Sequence, residues 1–340
     1  MSINLGYSTY NNAVQNILFT EHGACVMVWM LSLLHMSCVD YEINRRTMVD
    51  SYVQSSREAG VDIVWVIDNS ASMFEEQEQL AEYVSHFTDY LTFAPVEFTL
   101  SVVTTDVSTD DAGAFVHGVV LNNNTAHLDQ AFADLVSLDE GSRSEHGFAA
   151  ALDALDPNGI NADIWTANAD IEIIFFSDED DQSDVSSADF VNTMQSYRPD
   201  VELTFNAITG DPPEGCASLV GAADPGFKYQ EVQEETGGLR ESICSLHYDA
   251  LLERIALQVL GLSNTFALNS APDLDTLEVL VNGASIPRRE RHGWRYDAGE
   301  NTIIFDGFAV PPPGADIVFK YALWIGTQSD LEASVSDTGE

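Results

Sequence analysis

Two apolar heptamer-scale runs, each stopped by acid, constrain this chain more than any other feature. Val61–Ile67 is almost unbroken in its apolar character and ends at Asp68, and Ile171–Phe176 repeats the pattern and ends, after Ser177, at Asp178-Glu179-Asp180-Asp181. Runs of this kind mark strands buried on both faces, as in a parallel sheet covered by helices. The first is followed by an amphipathic segment, Phe74–Leu91, with apolar residues at 80, 83, 84, 87, 90 and 91. Glu75, Glu76 and Glu78 stand in its first turns, where a helix dipole favours negative charge. Strand, acidic loop and helix together make a βα unit.

The alternation continues. Strands are expected at Glu97–Thr104, Phe115–Leu121, Val201–Ile208 and Lys228–Val232, and helices at Leu128–Val136, Glu145–Leu155, Ala188–Tyr197 and Leu246–Leu260. The fold class is therefore α/β, a doubly wound, mostly parallel sheet whose ligands sit at the carboxyl ends of the strands. After Gly261 the pattern turns to short β segments, with Asn282-Gly283 as a hairpin signal and Pro311-Pro312-Pro313-Gly314 as a rigid connector. The expected organisation is a signal peptide at 1–37, a polar tether at 38–58, the α/β domain at 59–262, a small β domain at 263–326 and an acidic tail at 327–340.

Charge excludes some partners. The 340 residues carry 55 Asp or Glu against 13 Lys or Arg, a net charge of −42, and only Lys228 and Lys320 are lysines. So few cations cannot line a nucleic-acid site, and an anionic membrane surface is disfavoured as a direct partner. Arg288, Arg289, Arg291 and Arg295 with Trp294 form the one basic-aromatic cluster, expected as a solvated hairpin edge. The apolar run at 24–34 is shorter than the roughly 20 residues needed to span a bilayer and has the length of a signal-peptide core. Ser37 and Cys38 follow it, as in a bacterial lipoprotein signal with Cys38 as the lipidated first mature residue, although His35 and Met36 depart from the usual residues there. Cys216 and Cys244 remain as a pair 28 positions apart; they read either as a disulfide in an oxidising compartment or as two buried thiols.

Asp68-Asn69-Ser70-Ala71-Ser72 places one carboxylate and two hydroxyls at alternate positions directly before a helix. Three hard oxygen donors from one turn suit magnesium, which keeps several of its waters, while helix capping by Ser70 or Ser72 is the plainer reading. Asp178 would complete the shell if its strand lies beside the first. No Gly-Lys-Ser/Thr phosphate loop and no Gly-x-Ser-x-Gly elbow occurs. Ser70 stands where aspartyl-phosphate enzymes resemble Asp-x-Asp, and nothing fixes a base beside a nucleophile. The chain is expected not to be an enzyme.

These segments carry a resemblance. Residues 61–73, Val-Val-Thr-Thr-Asp at 102–106, Phe-Phe-Ser-Asp-Glu-Asp-Asp at 175–181 and Thr-Gly-Gly…Ser-Ile-Cys at 236–244 resemble von Willebrand factor A-type domains. They are similar in particular to those in lipoproteins of myxobacteria and related deltaproteobacteria. The resemblance implies a metal-ion-dependent adhesion site with Asp68, Ser70, Ser72 and Asp178 as ligands. It also implies Mg2+ or, failing that, Mn2+ or Ca2+, and an open coordination position taken by a carboxylate of a protein or surface partner. The family's second motif, a threonine, is replaced in the loop 139–145; Ser144 or Ser142 would supply the hydroxyl, with Arg143 close enough to oppose a cation. The function implied is non-catalytic adhesion at the cell envelope, in the outer membrane, the periplasm or at the surface. Two alternatives are a scaffold with a structural, calcium-type ion and, less favoured, a metal-dependent hydrolase.

Overall fold

The computed structural model describes residues 46–55, 57, 60–108, 111–218 and 221–323. The signal peptide, Cys38, Trp324 and the acidic tail lie outside them. The described chain divides into two units, one of residues 55–263 and one of the segments before 55 and after 263.

The larger unit is built on six strands: β1 (Val61–Ile67), β2 (Phe98–Thr104), β3 (Leu121–Asn122), β4 (Asp170–Ser177), β5 (Leu203–Thr209) and β6 (Arg240–Ser242). They lie in the order β3-β2-β1-β4-β5-β6, all neighbours parallel except β2 and β3. The strand order reverses between β1 and β4, the switch point at which doubly wound sheets bind their ligands. The register aligns Ile67 with Phe176, so Asp68 and Asp178 leave the sheet from adjacent strands.

Burial on both faces follows from the apolar strands, whose alternate side chains serve two helical layers. On one face Trp65, fully buried, packs edge-on against Phe87 and tilted against Phe132. These rings come from α2 (Ser85–Phe93) and α3 (Leu128–Val136). On the other face Val64, Val66, Ile173 and Phe175 meet α4 (Gly147–Leu155), α5 (Ser187–Tyr197) and α6 (Phe227–Thr236), with Phe148 and Phe190 stacked 4.2 Å apart. The first and last helices, α1 (Phe74–Tyr83) and α7 (Tyr248–Val259), complete the Trp65 face. The long helix expected from 74 divides at Val84, where the Thr88 hydroxyl donates back to the Val84 carbonyl, a bond that bends helices.

Three expectations change. Lys228–Val232 lies within helix α6, not a strand: Gly226 and left-handed Gly237 bound it, and Tyr229 and Val232, three apart, share its buried face. Phe115–Leu121 is mostly a turn around His117 and Gly118, both at positive φ, and only Leu121–Asn122 pairs with β2. Thr47–Val53, placed in the tether, is a strand of the smaller unit, paired antiparallel with Asp316–Ala322. Buried Asp50 fixes that pairing by accepting hydrogen bonds from the Tyr321 hydroxyl and the Asn269 amide. This unit holds a four-stranded and a three-stranded antiparallel sheet, with Phe266, Phe305 and Phe319 clustered in its core. Asn282-Gly283 forms the expected hairpin turn. Cys216 and Cys244 are joined by a disulfide.

At the amino ends of the strands Arg57 holds two acids of β4, Asp170 and fully buried Glu172, while Asn206 of β5 donates to Glu172 and accepts from Leu239 N. Burial pushes Glu172 from its ordinary 4.5 up to about 8, against the opposing pull of Arg57. An acid raised in the folded state favours folding below its unfolded value and loses that contribution as pH rises toward the folded one. Replacing Arg57 removes the charge that makes ionisation tolerable. Urea unfolding of Arg57→Met should therefore show a stability loss, relative to the wild type, that grows as pH rises past about 8, where wild-type Glu172 ionises, toward about 3–5 kcal/mol, and Glu172→Gln in the same background should remove the growth. A loss independent of pH contradicts this reading of the pair.

Candidate metal centre

Asp68 begins the site because β1 ends against its neighbours: Asp68 N donates to Phe176 O and Thr105 N to Ile67 O. Its carboxylate is fully buried and bound on both oxygens, Oδ1 by Ser70 N at 2.8 Å and Oδ2 by Ser177 Oγ at 2.7 Å. Ser70 Oγ and Ser72 Oγ are 2.9 Å apart. Neither side chain caps the following helix, so the capping reading fails. Asp178, 5% exposed, comes from the end of β4; its N–H points at the sulfur of Met73 and its carboxyl meets the Ser72 hydroxyl. Asp68, Ser70, Ser72 and Asp178 thus gather at the switch point.

Ser144 does not join them in the same way. Its hydroxyl donates to Gln182 Oε1 at 3.1 Å and lies 3.1 Å from His146 Nε2. Ser142 is committed to the loop itself, its N–H donating to Asp106 and its hydroxyl oxygen accepting from Ser144 N, and Arg143 is exposed. The next residue, Glu145, is the one that reaches inward. It is fully buried, accepts from Thr105 Oγ1 at 2.9 Å through Oε2, and comes within hydrogen-bonding reach of Asp68. The loop is brought there by Gly141, whose N–H binds Asn69 O and where a Cβ would stand 2.2 Å from Asn69 Nδ2.

The electrostatics are those of acids crowded together. Burial, then the charge of Asp68, pushes Glu145 up to about 8; the same two causes push Asp178 up to about 7, opposed by the Ser72 hydroxyl. Glu76 and Glu179 are also raised, again by burial first, with Asp68 contributing to both. Two buried oxygens, Glu145 Oε1 and Asp178 Oδ1, have no hydrogen-bond partner. Buried carboxylate oxygens without donors are costly, and a divalent cation satisfies them and relieves the repulsion together. The residues therefore fit such an ion. Among the described residues no three His, Cys, Asp or Glu side chains group so as to hold a metal ion, so an ion here would have to draw on the serine hydroxyls. Sequence reasoning had the motif but not Glu145; the signal available was an acid directly before α4 in a loop that lacks the family's threonine.

Ser144 and His146 form a hydroxyl–imidazole pair, but among the described residues no hydrogen bond orients His146 Nδ1, which an activated serine requires.

No protein-family model matches the chain, and no match is found among curated protein sequences. Among solved structures the chain is similar to the pilus adhesin SpaC from Lactobacillus rhamnosus GG in its open conformation, at 13% identity and a TM-score of 0.43, over 83% of this chain and 43% of that one. It is similar to proximal thread matrix protein 1 from the mussel byssus at 11% identity and a TM-score of 0.40, over 64% and 51%. It is also similar to the ArnB paralog VWA2 from Sulfolobus acidocaldarius at 12% identity and a TM-score of 0.35, over 82% and 61%. The chain spans less than two thirds of the length of each.

Binding to the folded state alone stabilises by mass action, about 2.7 kcal/mol at a hundredfold excess over Kd. Thermal unfolding should shift upward with added divalent cation in the wild type and stay unmoved in Asp68→Ala. Equal shifts in both proteins would mean that the ion sits elsewhere on the acidic surface.

Proposed function

We propose that this protein is a non-catalytic, metal-ion-dependent binding protein that engages a protein or surface ligand outside the cytoplasm. The observation that carries the reading is the contrast within the site: Asp68 and Asp178 are buried at its base, Asp178 with an unsatisfied oxygen, while Ser72 at its rim is exposed. An ion held at such a base presents its outer face to a partner. Phe74, 62% exposed beside that rim, offers apolar contact.

Asp68, Ser70, Ser72 and Asp178 would hold Mg2+, Mn2+ or Ca2+, and the ion would supply a Lewis-acid anchor for an oxygen donor. A partner carboxylate is the donor that the resemblance to von Willebrand A-type domains implies. The chain's own residues do the rest: Ser177 and the Ser70 amide fix Asp68, and the Asp139–Glu145 loop walls the site. Export is supported by the Cys216–Cys244 disulfide, since such bonds persist in oxidising compartments. A lipid on Cys38 would tether the protein to the envelope, as an outer-membrane, periplasmic or surface lipoprotein; among the described residues no helix is long and apolar enough to cross a membrane. The depth of Asp68 and Asp178 favours, as a second reading, an ion that is purely structural.

Retention of labelled protein on intact cells of its source organism separates the two. Binding should require a divalent cation, disappear with EDTA, and be lost in Ser70→Ala while the circular dichroism spectrum is unchanged. Retention that survives both EDTA and Ser70→Ala contradicts the adhesion reading.

A further inference from the structure

We propose that the arginine-rich hairpin at 288–295, in the smaller unit, is a binding surface for an acidic polysaccharide, one that bears carboxylate or sulfate groups. The inference goes beyond the metal-binding reading and does not depend on it. Arg288, Arg289, Arg291 and Arg295 stand within this stretch, against a single acid, Glu290, and all four are exposed. Cations elsewhere have found acids: Arg57, Lys228, Arg240, Arg254 and Lys320 each lie within 3.6 Å of a carboxylate. The four arginines of the hairpin form no ion pair among the described residues, in a chain that holds 55 acids. The neighbouring acids are turned to the backbone instead, Asp306 accepting from His292 N at 3.2 Å and Asp297 from Gly299 N at 2.8 Å.

The loop that carries them is closed on itself. Arg289 N donates to Trp294 O at 3.2 Å, Trp294 N to Pro287 O at 3.3 Å, and the Trp294 indole N–H to Ile286 O at 2.8 Å. The Trp294 ring is buried, with the Arg288 guanidinium 5.7 Å from its centre, so Arg295, next along the strand, faces outward. Gly293 permits the closure, since a Cβ there would stand 2.7 Å from Arg289 Cγ. Cations on a loop held in this way have less freedom to lose when a ligand arrives. Beside them the exposed rings of His292 and Phe308 stack with centres 4.8 Å apart, and Phe308 N donates to His292 Nδ1, which leaves the neutral ring's proton on Nε2. Aromatic faces next to guanidinium groups suit an acidic sugar, whose ring packs on the one while its acid groups meet the other.

Charge decides among the polyanions. A nucleic-acid duplex places a charge about every 1.7 Å and needs more cations than four. An anionic membrane, or a second copy of the chain, would set a wide negative surface against a protein of net charge −42. A polysaccharide is one narrow chain that can meet the hairpin alone, and at physiological salt charges beyond about 8 Å are screened from it.

Fluorescence anisotropy of labelled heparin and alginate oligosaccharides, with neutral dextran as the control, tests this on the full-length protein. EDTA is present throughout, so that no cation contributes and the result is independent of the metal site. At about 0.15 M salt heparin, alginate or both should bind, dextran should not, and binding should weaken as salt is raised. Arg289→Gln combined with Arg291→Gln should weaken it about tenfold, the effect of losing two exposed ion pairs, while Lys320→Gln should leave it unaltered. Arg289→Lys combined with Arg291→Lys keeps both charges and should restore most of the affinity, and thermal unfolding checks that each variant is folded. No binding of either acidic polymer, equal binding of dextran, or wild-type affinity in the glutamine pair overturns the proposal. Sedimentation velocity covers the rival partner: self-association of the wild type that the glutamine pair abolishes would assign the hairpin to a second copy and overturn it as well.

Discussion

Repulsion among buried carboxylates at the carboxyl ends of β1 and β4 is the interaction to which the larger unit is arranged. Apolar strands bring Asp68 and Asp178 together because a parallel sheet in this order places adjacent strand ends side by side, at the point where the winding reverses. The helices on both faces then exclude water from what the strands deliver. Without a counter-charge, such a cluster keeps protons that acids ordinarily give up, as Glu145 and Asp178 do. The opposite end of the same sheet shows the other solution. There Glu172 is buried as deeply, but Arg57 and Asn206 meet both of its oxygens. One end of the sheet is closed by the protein's own cation, and the other is open to an external one.

The parts of this arrangement that are local in the chain were legible in the sequence. The two apolar runs identified the central strands, and Asp68, Ser70 and Ser72 declared themselves by spacing within five residues. Asp178 followed once its strand was expected beside the first. Glu145 was not legible as a neighbour of Asp68, because what places it there, a bond from Thr105 among others, depends on segments that meet only when β1, β2 and the loop before α4 are assembled. The same reason hid Thr47–Val53 in a polar stretch: its partner strand lies near the other end of the chain, and Asp50 finds Tyr321 at a separation of 271 residues. α6 failed differently. Its apolar residues are too few for their period to be read, and its glycine boundaries decide it.

The acidic composition bears on function as well as on solubility. A net charge of −42 raises the local concentration of any cation, and screening at physiological salt confines that effect to within about 8 Å of each charge. General attraction therefore cannot distinguish one acid from another. Selectivity has to come from desolvation and geometry, and the switch point is where both are found, with buried donors fixed by Ser177, Thr105 and the Ser70 amide. The disulfide between Cys216 and Cys244 sits in the same unit, tying the segment after β5 to the one after β6.

The central claim is that a divalent cation belongs at the junction of β1 and β4. A crystal of the protein soaked in manganese, with data collected at the manganese edge, tests it most directly. The account predicts one dominant anomalous peak enclosed by Asp68, Ser70, Ser72 and Asp178. Density only at scattered surface acids, with none at this junction, would contradict it.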